Sequence, residues 1–330
     1  MTRSVRVASA VGGDGAGTPV LGLDIGGTKL AAGVVDSNGK VHSFVVAPTR
    51  VDEGAESGLE RLFELGRLAI AESGFETGEI RAVGIGSGGP LDAERGVLIA
   101  PPHLPGWHDV PVVDLAEAAF HLPVTLENDA TAAAAGEHRW GAGAGIRNMV
   151  YLTISTGVGG GVVIDGSLYR GSRGNGGELG HVTVDWHGRP CRGCGRLGCL
   201  EAYVSGTSIA ERAREAGLDF ATAEAVAAAA REGDVGATAI WDETVEALAC
   251  GITSIVNLFE PELVVIGGGV TRSGEQLMAP VRKMVRAGAM RPAGEAADVV
   301  SSAFGDQVGV VGAAAIVYDG AALGDVRPNG

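Results

Sequence analysis

LGLDIGGTKLAAGVVDSNGKV, residues 21–41, and YLTISTGVGGGVVIDGSLYR, residues 151–170, follow one plan. Each opens with a short apolar run, turns on glycines, continues as a second apolar run and turns again, at Asn-Gly in the first copy and Asp-Gly in the second. Asn-Gly and Asp-Gly supply the positive φ angles of a tight hairpin turn. The pattern predicts strand, glycine turn, strand, hairpin turn, strand, and predicts it twice. Such a repeat implies an internal duplication, with each copy opening one α/β lobe.

Between and after the two copies the chain reads as helices joined by loops. GLERLFELGRLAIAES (58–73), ATAAAAGEHRW (130–140), TSIAERAREAG (207–217) and ETVEALACGITSIVNLF (243–259) carry helical spacing of apolar residues. PELVVIGGGV (261–270) reads as a late strand ending in three glycines, with another helical pattern after it. These connections are long enough for crossovers between parallel strands. Cys250, alone within LACGITSIV, reads as a small buried hydrophobe.

The totals restrict the function. A chain of 330 residues, 45% of them hydrophobic, can bury one or two large cores. A formal net charge of -15 offers no long-range attraction to nucleic acid or to an anionic membrane. No apolar run approaches the roughly 20 residues of a spanning helix, and the first 19 residues lack the apolar centre of a secretion signal. The expectation is a cytoplasmic protein with a frayed tail over residues 1–19.

Three features can carry chemistry. In DIGGTK, Asp24 ends a strand and Gly26-Gly27 bring backbone amides close to a ligand; STGVGGG, 155–161, repeats this in the second copy. Neither turn is a P-loop, so each alone reads as a hairpin, but two on a duplicated frame suit a polyphosphate gripped from both sides. Asp24 is then placed to orient magnesium, directly or through water, and Thr28 or Thr156 to donate to phosphate oxygens. In LENDATAAAAGE, 126–137, Asp129 stands at the start of an alanine-rich helix, where it is either a helix cap or a base for phosphoryl transfer. Finally, residues 176–201 gather Cys191, Cys194 and Cys199 within nine residues, together with His181 and His187, which suggests a metal in a reducing compartment.

In this order DIGGTK (24–29), LPGW (104–107), ENDA (127–130), TGVGGG (156–161), ELGH (178–181), CGRLGCLE (194–201) and VVIGGGV (264–270) resemble the ROK family of sugar kinases and repressors. Within it the chain is similar to the bacterial glucokinases. The resemblance implies a two-lobed actin/hexokinase-like α/β fold, a duplicated ribonuclease H-like architecture with ATP and sugar meeting in an interlobe cleft. It implies a small domain over 20–128, a large domain with a zinc loop over 129–310, and a C-terminal helix within 311–330 returning to the small domain. It gives Asp129 the proton of the sugar 6-hydroxyl, and gives the remaining hydroxyls to Asn128, Glu178, His181 and Glu201, with Gly89 at the border of the pocket. The ATP phosphates fall to Asp24, Gly26, Gly27, Thr28, Lys29, Thr156, Gly157 and Gly159, and the adenosine to Gly267, Gly268 and Gly269. His181, Cys191, Cys194 and Cys199 become the ligands of a closed structural zinc site, leaving His187 as an exposed loop residue. A homodimer or homotetramer is expected, with no nucleic-acid or membrane partner.

Two positions depart from the family pattern. CRGC spaces Cys191 and Cys194 as Cys-x-x-Cys where the family has Cys-x-Cys, and GSGGPLD (86–92) has Gly88 where the family has proline. The second is either a loosening that widens the choice of sugar or a neutral exchange in a turn. The first expectation for function is an ATP-dependent glucose 6-kinase. Mannose, fructose, N-acetylhexosamines and cyclitols are alternative acceptors. A sugar-sensing repressor is disfavoured, because the roughly 20 residues ahead of DIGGTK are too few for a helix-turn-helix domain.

Overall fold

A computed structural model of the chain describes residues 18–323. The expected tail over 1–19 lies, up to residue 17, outside the described residues, as do residues 324–330. By their internal contacts the described residues form two units, 18–136 with 309–323, and 137–308.

The first unit begins as the sequence pattern requires. β1 (Val20–Ile25), β2 (Lys29–Val35) and β3 (Val41–Pro48) form an antiparallel meander. α1 (Gly54–Ser73) ends at Gly74, whose φ of 83° is the left-handed turn that closes a helix. β4 (Val83–Ser87) then lies parallel to β1. After the small hairpin of β5 (Leu91–Asp92) and β6 (Val97–Leu98) comes α2 (Val112–Phe120). β7 (Val124–Asn128) lies parallel to β4 and leads directly into α3 (Asp129–Trp140). The sheet order is β3-β2-β1-β4-β7. Its register pairs Asp24 with Gly86 and Ser87 with Asn128, so the carboxyl ends of the three parallel strands are level. Ligands of open α/β sheets bind at such ends.

The second unit repeats the plan. β8 (Met149–Ile154), β9 (Val158–Ile164) and β10 (Ser167–Leu168) form the meander, with Asp165 and Gly166 at φ 51° and 77° in the expected hairpin turn. Four helices follow: α4 (Glu201–Val204), α5 (Gly206–Glu215), α6 (Ala223–Glu232) and α7 (Val235–Phe259). α7 starts at Val235 rather than at 243, because the Asp234 carboxylate accepts from the Ala237 N–H at 2.8 Å and caps it. β11 (Leu263–Gly267) pairs parallel with β8, and after α8 (Glu275–Gly288) and α9 (Ala293–Ala296), β12 (Asp298–Ser301) pairs with β11. The order β10-β9-β8-β11-β12 matches the first sheet. One expectation fails here: Cys250 is exposed. The buried side of α7 passes through Leu248, Gly251, Ile252 and Ile255, and helical rotation turns position 250 away from it.

α10 (Val308–Leu323) joins the first unit from residue 309 onward. Its backbone rests directly on the sheet. A Cβ at Gly84 would lie 1.6 Å from the Ala313 carbonyl oxygen, and one at Gly22 2.2 Å from that of Val310. Only glycine allows this approach. Among the described residues, no helix is long and apolar enough to cross a membrane.

Candidate active site and metal cluster

In the first unit, the turn after β1 is closed by the Gly26 N–H donating to the Lys29 carbonyl at 3.0 Å. Gly27 lies against the backbone of His103, whose carbonyl oxygen a Cβ at 27 would meet at 2.6 Å. Thr28 is exposed at the tip. At the end of β7, Asn128 does the capping: its Oδ1 accepts from Ala130 and Thr131 N–H, both at 3.1 Å. Its side-chain NH₂ is the group it can offer a ligand. Asp129 Oδ1 also accepts from the Ala130 N–H, at 2.8 Å. The choice between cap and base is thus eased, because the cap is already supplied by the residue before.

Burial pushes the Asp129 carboxyl above the ordinary range, while the charge of His103 and the Ala130 N–H oppose this. Burial also pushes Asp24 up to about 7, with the charge of Asp129 adding to the effect and Lys29 opposing it. Two carboxyls with raised proton affinity, set at the ends of β1 and β7 on either side of β4, form a site suited to a cation or to a proton-donating ligand. His103, which sequence reasoning passed over, belongs to this group. Its only sequence signal is its place directly before the LPGW motif.

In the second unit, Ser155 N–H donates to the Gly157 carbonyl at 2.9 Å in the matching turn, and Thr156 is exposed. Gly159 lies within β9, opposite Thr153. The start of β9 is tied down by Glu201, whose Oε2 accepts from the Val158 N–H at 2.9 Å. A Cβ at Gly157 would come within 2.8 Å of the same oxygen. Gly267 ends β11, level with Thr153 of β8, and Gly268 and Gly269 follow it. Gly268 has φ 91°, and a side chain there would strike the Ile154 carbonyl oxygen at 2.3 Å.

His181, Cys191, Cys194 and Cys199 place one ligand atom each within 4.8 Å of one another. Tetrahedral zinc with Zn–S near 2.3 Å sets sulfur atoms roughly 3.8 Å apart. Cys194 and Cys199 sulfurs are 3.4 Å apart, and Cys191 Sγ lies 3.6 Å from His181 Nδ1, so the donors fit a closed zinc site despite the Cys-x-x-Cys spacing. His187 is exposed and outside this group. The Cys191 thiol donates to Glu201 Oε1 at 3.3 Å, and burial, with the Glu201 charge adding, pushes it up to about 12. A bound divalent cation reverses that tendency. The other imidazole nitrogen, His181 Nε2, lies 4.0 Å from Glu178 Oε2, so the ring has one nitrogen toward the thiols and one toward a carboxylate. The Glu201 bridge between the Cys191 thiol and the glycine turn was not visible in the sequence.

The structure thus groups Asp24, Gly26, Gly27, Thr28, Lys29, Gly89, Asn128 and Asp129 in the first unit, and Thr156, Gly157, Gly159, Glu178, His181, Glu201, the three thiols and Gly267 to Gly269 in the second.

Residues 20–319 match the ROK family. The chain is 39% identical to a glucokinase of Thermotoga maritima over 314 residues, covering 91% of this chain and 97% of that protein. A crystal structure of a ROK hexokinase from Thermus thermophilus superimposes with a TM-score of 0.76 at 39% identity, covering 91% of this chain and 99% of the other. A ROK family glucokinase from Streptomyces griseus, crystallised with glucose and AMPPNP, gives 0.77 at 34% identity, covering 90% and 98%. The α/β fold built on two like sheets is that of these kinases. With the family matched along nearly its whole length and the strand-end carboxyls and thiol cluster in place, this chain belongs to the ROK family.

Proposed function

We propose that the protein is an ATP-dependent hexose kinase of the glucokinase type, phosphorylating the 6-hydroxyl of glucose. The observation that carries this reading is Asp129: a carboxyl held at the first residue of α3, relieved of capping by Asn128, with its proton affinity raised by burial. Such a group accepts a proton from an alcohol as the oxygen attacks phosphorus, when that alcohol becomes acidic. The likeness to a glucokinase crystallised with glucose and an ATP analogue supports the same substrates here.

In this reading the first unit supplies the base and the Asn128 amide. The second unit supplies Glu178 and His181, whose carboxylate and imidazole suit a ring of sugar hydroxyls. Glu201 joins them from the end of the metal loop. The turns at 26–28 and 155–157 offer backbone N–H groups and threonine hydroxyls to phosphate oxygens, and Gly267 to Gly269 leave room for the adenosine. Asp24 would orient a magnesium ion carried on the ATP phosphates, directly or through water, and that ion would neutralise the charge that builds on the transferred group. His181, Cys191, Cys194 and Cys199 would hold a structural zinc ion that braces the loop 182–200 and so keeps Glu178 and Glu201 in place, with the chemistry left to the side chains.

The test is ADP release by the purified protein with Mg-ATP against glucose, mannose, fructose, N-acetylhexosamines and cyclitols. Glucose is expected to be turned over with the highest kcat/KM, giving the 6-phosphate. ADP release that does not rise with any of these acceptors defeats the reading.

A further inference from the structure

Thr49 grips the first glycine turn. It follows Pro48, the last residue of β3, and is 1% exposed. Both of its donors go to that turn: the hydroxyl to the Gly26 carbonyl at 2.5 Å and the backbone N–H to the Thr28 carbonyl at 3.1 Å. Thr49 is itself held from α1, where Arg61 Nη1 donates to its carbonyl at 2.8 Å and the same guanidinium pairs with Glu53. A trans peptide keeps its C=O and the following N–H in one plane, pointing opposite ways. With the Gly26 carbonyl turned to Thr49, the Gly27 N–H therefore points away from it. Among the described residues, nothing accepts from that N–H. Neither glycine carries a Cβ to resist rotation of the peptide plane between them, so the turn's own sequence leaves its direction open. The buried hydroxyl decides it.

We propose that Thr49 is a positioning residue for the ATP phosphates: its hydroxyl sets the Gly26–Gly27 peptide so that the Gly27 N–H, and not the Gly26 carbonyl, meets phosphate oxygen. The inference rests on the reading of the 26–28 turn as a phosphate site. A backbone N–H offers a phosphate positive partial charge, whereas a carbonyl in the same place would repel it. Removing the hydroxyl leaves the Gly26 carbonyl short of its partner, and the cheapest remedy is for the glycine peptide to rotate toward another donor. The N–H then leaves the phosphate. Arg61 acts one step further back, by holding the Thr49 backbone. Its replacement should have the smaller effect, since the Thr49 N–H still ties the strand to Thr28.

The test compares Thr49→Val, which keeps the size and the backbone N–H but loses the hydroxyl, with Thr49→Ser, which restores it. Calorimetry gives the affinity of each variant for Mg-AMPPNP, adenosine and glucose, and initial rates give the two KM values. Thr49→Val should weaken Mg-AMPPNP about three- to tenfold and raise the KM for ATP to match, because a hydrogen bond to a charged phosphate is lost. Affinity for adenosine and for glucose should stay within about twofold, since neither meets the 26–28 turn, and this also shows the variant to be folded. Thr49→Ser should return Mg-AMPPNP affinity to within about twofold of the unaltered protein. Unchanged Mg-AMPPNP affinity in Thr49→Val, a loss shared equally by all three ligands, or a loss that serine does not restore overturns the proposal. Nucleotide binding is measured without sugar, so the two readings fail separately. Unaltered protein that binds Mg-AMPPNP yet releases no ADP with any acceptor loses the kinase reading, while the binding data still decide the part of Thr49; unaltered protein that binds no Mg-AMPPNP loses both.

Discussion

The two sheets share one strand order and one pair of turns, yet the polar groups at their strand ends are treated in opposite ways. In the first unit Asp24 and Asp129 are held with raised proton affinity by burial, which the charges of Lys29 and His103 oppose only in part. In the second, Glu201, Cys191 and His181 bind one another and the backbone of the glycine turn. A duplicated frame fixes where ligands arrive, and the residues set on it decide which copy does the chemistry. One copy keeps unfavourable charge for a substrate to relieve; the other uses its polar groups to hold itself in shape.

The sharpest way to break this contrast is Asp129→Asn. It should lower kcat by about 10²–10⁴ in the ADP-release assay. Stability should change by under about 1 kcal/mol, since Asn128 keeps the cap. A loss below about tenfold, worth about 1.4 kcal/mol, would mean that Asp129 is not the base. Removing metal tests the other half. Elemental analysis should find about one zinc per chain, and chelation should lower the melting temperature by about 5 °C or more. It should also raise the KM for ATP, because Glu201 links the Cys191 thiol to Val158 at the glycine turn proposed to hold phosphate. Unchanged melting and substrate affinity in chelated protein would reject the supporting role.

Asp24→Asn sharpens the comparison with a smaller effect of opposite sign on stability. A carboxyl whose folded pKa is about 7, against 3.8 as the ordinary value, disfavours the folded state increasingly as pH rises between those values. In metal-free protein the variant should therefore be more stable by about 1–3 kcal/mol above pH 7, with no gain near pH 4, while losing activity. Denaturant melts at the two pH values decide it; an equal effect at both would remove the electrostatic cause.

The duplicated meander was legible because its signals are local: apolar runs, glycine turns, and Asn-Gly or Asp-Gly pairs between apolar runs, which tight hairpin turns favour. The metal donors were legible for the same reason, three of them falling within nine residues. The early start of α7 was missed because residues 235–242 include glycine and β-branched residues; the clue was Asp234 as a cap. The identity of the capping group at α3 was open in the sequence, since Asn and Asp both cap, and only the hydrogen bonds separate them. The contacts of His103 and Glu201 were illegible in the sequence. Each depends on an approach across the fold, His103 to Gly88 and Glu201 to Val158, that no spacing along the chain records.

The bed of glycines under the last helix has a consequence for the order of events during synthesis. The unit with the thiol cluster is one uninterrupted stretch, so it can fold as soon as it leaves the ribosome, whereas the half that carries Asp129 must wait for residues 309–323 to seat on Gly22 and Gly84. The nascent chain therefore acquires one folded half before the Asp129 carboxyl has a finished setting.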